Sequence, residues 1–131
     1  MSDGNHEPGP AATAPCILIV EDEMLVAMML EDMLADLGLR SIKAARIGKA
    51  ALLASEAALA GAILDVNVAG QTVYPVAREL RRRCIPFVFA TGYGVSGLRA
   101  DYRDWPTLSK PFHFDALQRV VGAWTGPAAA G

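Results

Sequence analysis

Residues 16–23 read Cys16-Ile17-Leu18-Ile19-Val20-Glu21-Asp22-Glu23. Five apolar residues without alternation suit a parallel strand covered on both faces. The run then stops in three acids. Over residues 23–37 the apolar positions Leu25, Val26, Met29, Leu30, Met33 and Leu37 recur at helical spacing. Gly38 follows as a natural C-terminal cap.

The same alternation continues to the end of the chain. Residues 41–45 read as a weak second strand, and the Ala- and Leu-rich stretch 48–59 as a helix. Ala62-Ile63-Leu64 is a third short strand ending at Asp65. Residues 67–72 form a loop carrying Gly70. Residues 73–83 suit a helix, with Pro75 tolerated in its first turn. Residues 86–90 are a fourth, wholly apolar strand, followed by the Gly-rich loop 91–97 and a short or frayed helix over 98–104. Thr107-Leu108-Ser109 is a fifth strand kept short by Pro106 and Pro111. Residues 114–124 form a final amphipathic helix with Leu117, Val120, Val121 and Trp124 on one side. Strands alternating with helices predict an α/β fold: a doubly wound, five-stranded parallel sheet with right-handed crossovers and helices on both faces. Residues 15–125 make the domain. Residues 1–14, rich in Gly, Pro and Ala, read as a disordered arm, and residues 126–131 as a flexible tail.

Composition limits the function classes. A chain of 131 residues has room for one compact domain, and 53% hydrophobic residues supply its core. The net charge of −2 argues against nucleic acid as the main partner. The basic run Arg81-Arg82-Arg83 reads as favourable charge at a helix C-terminus. Cys16 and Cys84 have no metal-ligand spacing and read as buried free thiols in a reducing compartment. His6 and His113 have no companion at metal-ligand spacing. No secretory signal and no bilayer-length apolar run is present, so a cytoplasmic protein with no membrane partner is expected.

In a parallel sheet the working site lies at the C-terminal strand ends. There the sequence places Glu21-Asp22-Glu23, Asp65, Thr91 and Ser109-Lys110. Clustered carboxylates repel, and a bound cation removes that penalty. Mg²⁺ takes hard oxygen ligands and leaves positions open for water and phosphate. A hydroxyl and an ammonium group can then hold phosphoryl oxygens. The set suits phosphoryl transfer to Asp65 as the nucleophile.

These residues resemble the receiver domains of two-component response regulators, a flavodoxin-like fold of the chemotaxis-receiver kind. The similarity runs from Pro15 to Trp124 and rests on residues 17–23, Asp65, Thr91 and Lys110-Pro111-Phe112. It implies that Asp65 is the phospho-acceptor and a Mg²⁺ ligand. Glu21 and Asp22 are implied as further ligands, together with the backbone carbonyl of Asn67. Thr91 and Lys110 would contact the phosphoryl group, and the Lys110–Pro111 bond would be cis. Glu23 would begin the first helix rather than bind metal. Phe89-Ala90-Thr91-Gly92-Tyr93-Gly94 resembles the signature of the Phe-Ala-Thr-Gly-X-Tyr (FATGUY) subfamily, with the tyrosine one place early. Many of its members are single-domain regulators served by atypical histidine kinases in stress signalling. The implied protein is a phospho-accepting signalling domain rather than an enzyme, a monomer or weak dimer. It would receive its phosphoryl group from a histidine kinase and act on a phosphotransferase or downstream regulator, or serve as a phosphate sink. One position departs from the family. Where receivers carry a switch aromatic three residues before the lysine, this chain has Thr107, and Tyr93 is the candidate replacement.

Three other readings are weaker. Gly92-Tyr93-Gly94-Val95-Ser96-Gly97 matches G-x-G-x-x-G, but a dinucleotide fingerprint opens a helix in an early strand–helix–strand unit. A phosphatase using an Asp nucleophile would need a second acid at position 67, which is Asn. A receiver-like interaction module that works without phosphorylation is the remaining alternative.

Overall fold

The computed structural model describes residues 10–130. The expected arm over residues 1–9 lies outside them. In chain order come β1 (Cys16–Val20), α1 (Met24–Asp36), β2 (Arg40–Ala44), α2 (Ile47–Glu56) and β3 (Gly61–Asp65). Two-residue strands β4 (Asn67–Val68) and β5 (Gln71–Thr72) follow, then α3 (Tyr74–Arg82), β6 (Phe87–Thr91), β7 (Thr107–Ser109) and α4 (Phe114–Ala130). The main sheet has the order β2-β1-β3-β6-β7, parallel throughout. This is the doubly wound five-stranded fold that the strand–helix alternation predicts.

Alternation along β1 divides the core in two. Ile17 and Ile19 join Leu30, Leu34, Leu117 and Val121 of α1 and α4 on one face. Leu18 and Val20 join Ala50, Ala54, Val76 and Leu80 of α2 and α3 on the other. Both faces are covered, which is why the strand carries no polar residue.

Several local expectations change. The buried stripe of α1 is Ala27, Leu30 and Leu34, whereas Leu25 is 80% exposed and Met29 is exposed as well. Both periodicities fit a helix, and packing on the sheet selects the narrower stripe. Residues 67–72 are not a plain loop but a minimal antiparallel hairpin. The last helix continues past Trp124 through residues 126–130, where a tail was expected. No α-helix connects β6 to β7. Two 3₁₀ turns, Gly94–Gly97 and Ala100–Tyr102, take its place. Aromatic packing holds them: Tyr102 stacks on Tyr74 at 5.2 Å, and Trp105 stacks on Phe87 at 5.3 Å. The Tyr74 hydroxyl accepts the Arg99 N–H at 2.7 Å.

Helix ends explain two more residues. Gly38 (φ +79°) closes α1, with the Leu39 N–H donating to Leu34 and its own N–H to Ala35. Cys84 (φ +57°) makes the same two bonds at the end of α3, to Arg81 and, through Ile85, to Leu80. That role puts Cys84 at the surface, which corrects its expected burial; Cys16 is half-buried. The three arginines have separate tasks. Arg83 Nη1 donates to the carbonyls of Ala54 and Ala57 at the end of α2, both at 2.8 Å. Arg82 pairs with Glu79 at 2.9 Å, and Arg81 lies 4.9 Å above the Trp105 ring.

Gly61 begins β3 because Trp124 of α4 lies against its backbone. A Cβ there would sit inside van der Waals contact of the Trp124 ring. Gly61→Ala is therefore expected to destabilise the fold by about 1–3 kcal/mol, as overpacking does. Urea denaturation checks this, and an unchanged midpoint would show that α4 can move aside.

Candidate functional site

β1, β3, β6 and β7 deliver their terminal residues to one cleft. Glu21 and Asp22 leave β1, and β1 pairs directly with β3, which ends at Asp65. β3 pairs with β6, ending at Thr91, and the β6–β7 pairing brings Lys110 alongside, with the Lys110 N–H donating to the Thr91 carbonyl at 3.1 Å. The cleft has a volume of about 400 Å³ and is lined by Asp65, Asn67, Thr91, Tyr93, Gly97 and Lys110, among others.

Carboxylate oxygens of Glu21, Asp22 and Asp65 lie within 4.8 Å of one another. Lys110 Nζ is 3.1 Å from Glu21 Oε2 and 3.3 Å from Asp65 Oδ2, so one ammonium bridges two of the three acids. Glu21 is 4% exposed. Burial pushes its carboxyl above the ordinary range, the Glu23 N–H and Lys110 pull it back, and the neighbouring Asp65 charge raises it further. The Ala69 N–H, 2.9 Å from Asp22 Oδ2, is the main reason Asp22 is held below the ordinary carboxylate range. Burial works against the Lys110 ammonium, but Glu21 and Asp65 outweigh it and its pKa is raised. Thr91 is buried beside them, and its hydroxyl accepts the Tyr93 N–H at 3.0 Å. The Lys110–Pro111 peptide is cis.

Three carboxylates with an incomplete counter-charge are a hard-oxygen donor set that fits a divalent cation. Among the described residues every buried side-chain polar atom has a hydrogen-bond partner. The charge imbalance, rather than an orphaned atom, is therefore what marks the site.

The structure brings Glu21, Asp22, Asp65, Asn67, Thr91 and Lys110 together. Glu23 is the residue before α1, with its N–H turned to Glu21 at 3.1 Å. Tyr93 borders the cleft and is 82% exposed. Thr107 opens β7 opposite Phe89, away from the cleft lining. His113 is exposed and contributes nothing to the acid cluster. Sequence reading missed two contributors. One is the Ala69 N–H on Asp22, because Ala-Gly is not a strong hairpin signal. The other is Gly97, where a Cβ would come within 3.2 Å of the Thr91 hydroxyl oxygen.

Comparison with known proteins places this cleft in a family. The solution structure of SdrG from Sphingomonas melonis Fr1 matches with 40% identity and a TM-score of 0.75, over 87% of this chain and 98% of SdrG. This chain belongs to the response-regulator receiver family. SdrG has also been solved in a BeF3-activated conformation, which matches this receiver with 38% identity and a TM-score of 0.71, over 88% of this chain and 100% of SdrG. The receiver domain of a sensor histidine kinase from Pseudomonas aeruginosa matches with 26% identity and a TM-score of 0.74 over 87% of this chain and 99% of that one. That protein holds magnesium in its active-site cleft. No family model and no curated protein sequence matches this receiver. No helix among its described residues is long and apolar enough to cross a membrane.

Proposed function

We propose that this receiver is a single-domain response regulator that takes a phosphoryl group onto Asp65 from a histidine kinase. The observation that carries the reading is the Lys110 ammonium between Asp65 and Glu21, with Asp22 completing a three-carboxylate cluster. An Asp65 oxygen forms the new P–O bond while the donor's bond to phosphorus breaks and the leaving group departs. Lys110 and the Thr91 hydroxyl meet the phosphoryl oxygens. Glu21, Asp22, Asp65 and the Asn67 carbonyl would hold Mg²⁺, which supplies charge neutralisation at the transferring group. The magnesium in the Pseudomonas receiver and the BeF3-activated state of SdrG support both parts by analogy. Residues 89–94 support a reading as a variant of the FATGUY subfamily, with the tyrosine one place early, acting in the cytoplasm through a partner protein or as a phosphate sink. The test is incubation with a small acyl phosphate and Mg²⁺, followed by intact mass. Addition of one phosphoryl group supports the reading. No addition, even with a competent kinase, would leave a phosphorylation-independent interaction module.

Thr107 has no ring to rotate, and the exposed Tyr93 ring borders the cleft with space to move. We assign the switching role to Tyr93. Closing over the phosphorylated Asp65, the ring would limit water access. Tyr93→Ala should then shorten the phosphorylated lifetime by roughly threefold to tenfold, in line with losing about 1 kcal/mol of barrier. A decay assay checks this, and an unchanged lifetime rules out shielding.

A further inference from the structure

Directly after Asp65 the chain folds into the β4–β5 hairpin, where Asn67 pairs with Thr72 and Val68 with Gln71. Both central residues of its turn have positive φ, +51° at Ala69 and +82° at Gly70, the signature of a type I′ turn. Alanine is a poor choice for the first of these positions, since its Cβ is disfavoured in the left-handed region. The turn is nonetheless held there, and its tip reaches Asp22, 47 residues away in sequence, through the Ala69 N–H at 2.9 Å. The bond is made to Asp22 Oδ2, and Asp22 contributes a carboxylate oxygen to the cluster with Glu21 and Asp65. The hairpin is thus tied at its base to the Asp65 strand and at its tip to Asp22. Strained backbone of this kind persists where the surroundings fix it, and it concentrates at functional sites.

We propose that this hairpin is a clasp that orients Asp22 for the divalent cation, with the Ala69 N–H as the positioning group. The inference rests on the cation site described under Proposed function. A hydrogen bond to one carboxylate oxygen fixes the rotation of the group and presents the other oxygen to the cation. Partners of this kind typically contribute about 10- to 100-fold in metal affinity. Coupling is reciprocal: cation binding must tighten the hairpin tip as the tip tightens cation binding.

Gly70 allows a clean test, because a Cβ there meets nothing within 4 Å and only the backbone conformation is challenged. Gly38 at the end of α1 is the matched control, also at positive φ (+79°) with nothing within 4 Å, and remote from the cleft. Mg²⁺ is titrated into the full chain and its amide resonances are followed, with hydrogen exchange of the Ala69 amide measured with and without Mg²⁺. Gly70→Val should weaken Mg²⁺ binding by about tenfold. Gly38→Val should leave it within twofold of the parent. Mg²⁺ should slow exchange of the Ala69 amide in the parent protein. Equal losses in Gly70→Val and Gly38→Val would reduce the effect to general destabilisation and overturn the clasp. A folded Gly70→Val that binds as tightly as the parent would also overturn it, while Asp22→Asn still lost binding and the cation site stood. Failure of the parent itself to bind Mg²⁺ would remove the cation site and the clasp with it.

Discussion

Asp65→Asn should take up no phosphoryl group from either an acyl phosphate or a kinase, while the parent protein gains one. Asparagine keeps the size of the side chain, so the fold is retained. It has no carboxylate oxygen to form an acyl phosphate, so the bond cannot be made. Intact mass reads the result directly. Neighbouring acids offer no substitute. Glu21 is buried and bonded to Lys110 and to the Glu23 N–H, with both oxygens engaged. Asp22 has one oxygen on the Ala69 N–H. Asp65 is the acid whose side chain lines the cleft beside Thr91 and Lys110. Phosphoryl addition to Asp65→Asn would mean that another residue is the acceptor, and peptide mapping would then find it.

The fold and most of this site were readable from the chain because both depend on strong, local signals. β1 is apolar at every position and ends in acids, and each later strand end carries a single chemically distinct group. Parallel pairing then brings those ends together without further information. What escaped depends on tertiary choices. The outward turn of Leu25 and Met29 reflects which of two apolar stripes packs on the sheet. The β6–β7 connection carries residues that could form a short helix, yet the Tyr74, Tyr102 and Trp105 contacts hold it as two 3₁₀ turns. Cys84 occupies a left-handed position usually given to glycine, so its surface placement had no local signal. The β4–β5 hairpin is four paired residues around Ala-Gly, too short for periodicity and without the Asn-Gly or Asp-Gly signature. Its bond to Asp22 is a backbone contact, which side-chain patterns do not encode.

Lys110→Gln should have the largest effect on stability in metal-free buffer, and the effect should depend on pH in a defined way. In the parent, one ammonium serves both Glu21 and Asp65. Its removal leaves a buried carboxylate and two neighbours with no opposing charge. Breaking a buried pair from one side costs about 3–5 kcal/mol, and partial exposure of the Lys110 head reduces this to roughly 2 kcal/mol at neutral pH. The sign follows from the two shifts. Glu21 has a folded pKa above its ordinary value of 4.5. Its ionisation therefore opposes folding, with no penalty at pH below 4.5 and a growing one as pH rises to the folded value. Lys110 lowers that folded value in the parent, so the penalty is larger without it. Lys110 itself has a folded pKa above 10.5, so its stabilisation is complete below that value and disappears as pH rises through the folded value. The stability difference between parent and variant should thus be small in acid, greatest across the neutral range, and small again in strong alkali. Urea midpoints measured across pH with a chelator present check this, and a difference independent of pH would exclude the charge account. Added Mg²⁺ should recover most of the deficit at neutral pH, because it supplies the positive charge the three carboxylates then lack. A variant that stays equally unstable in saturating Mg²⁺ would mean that Lys110 acts through packing of its stem rather than through its charge.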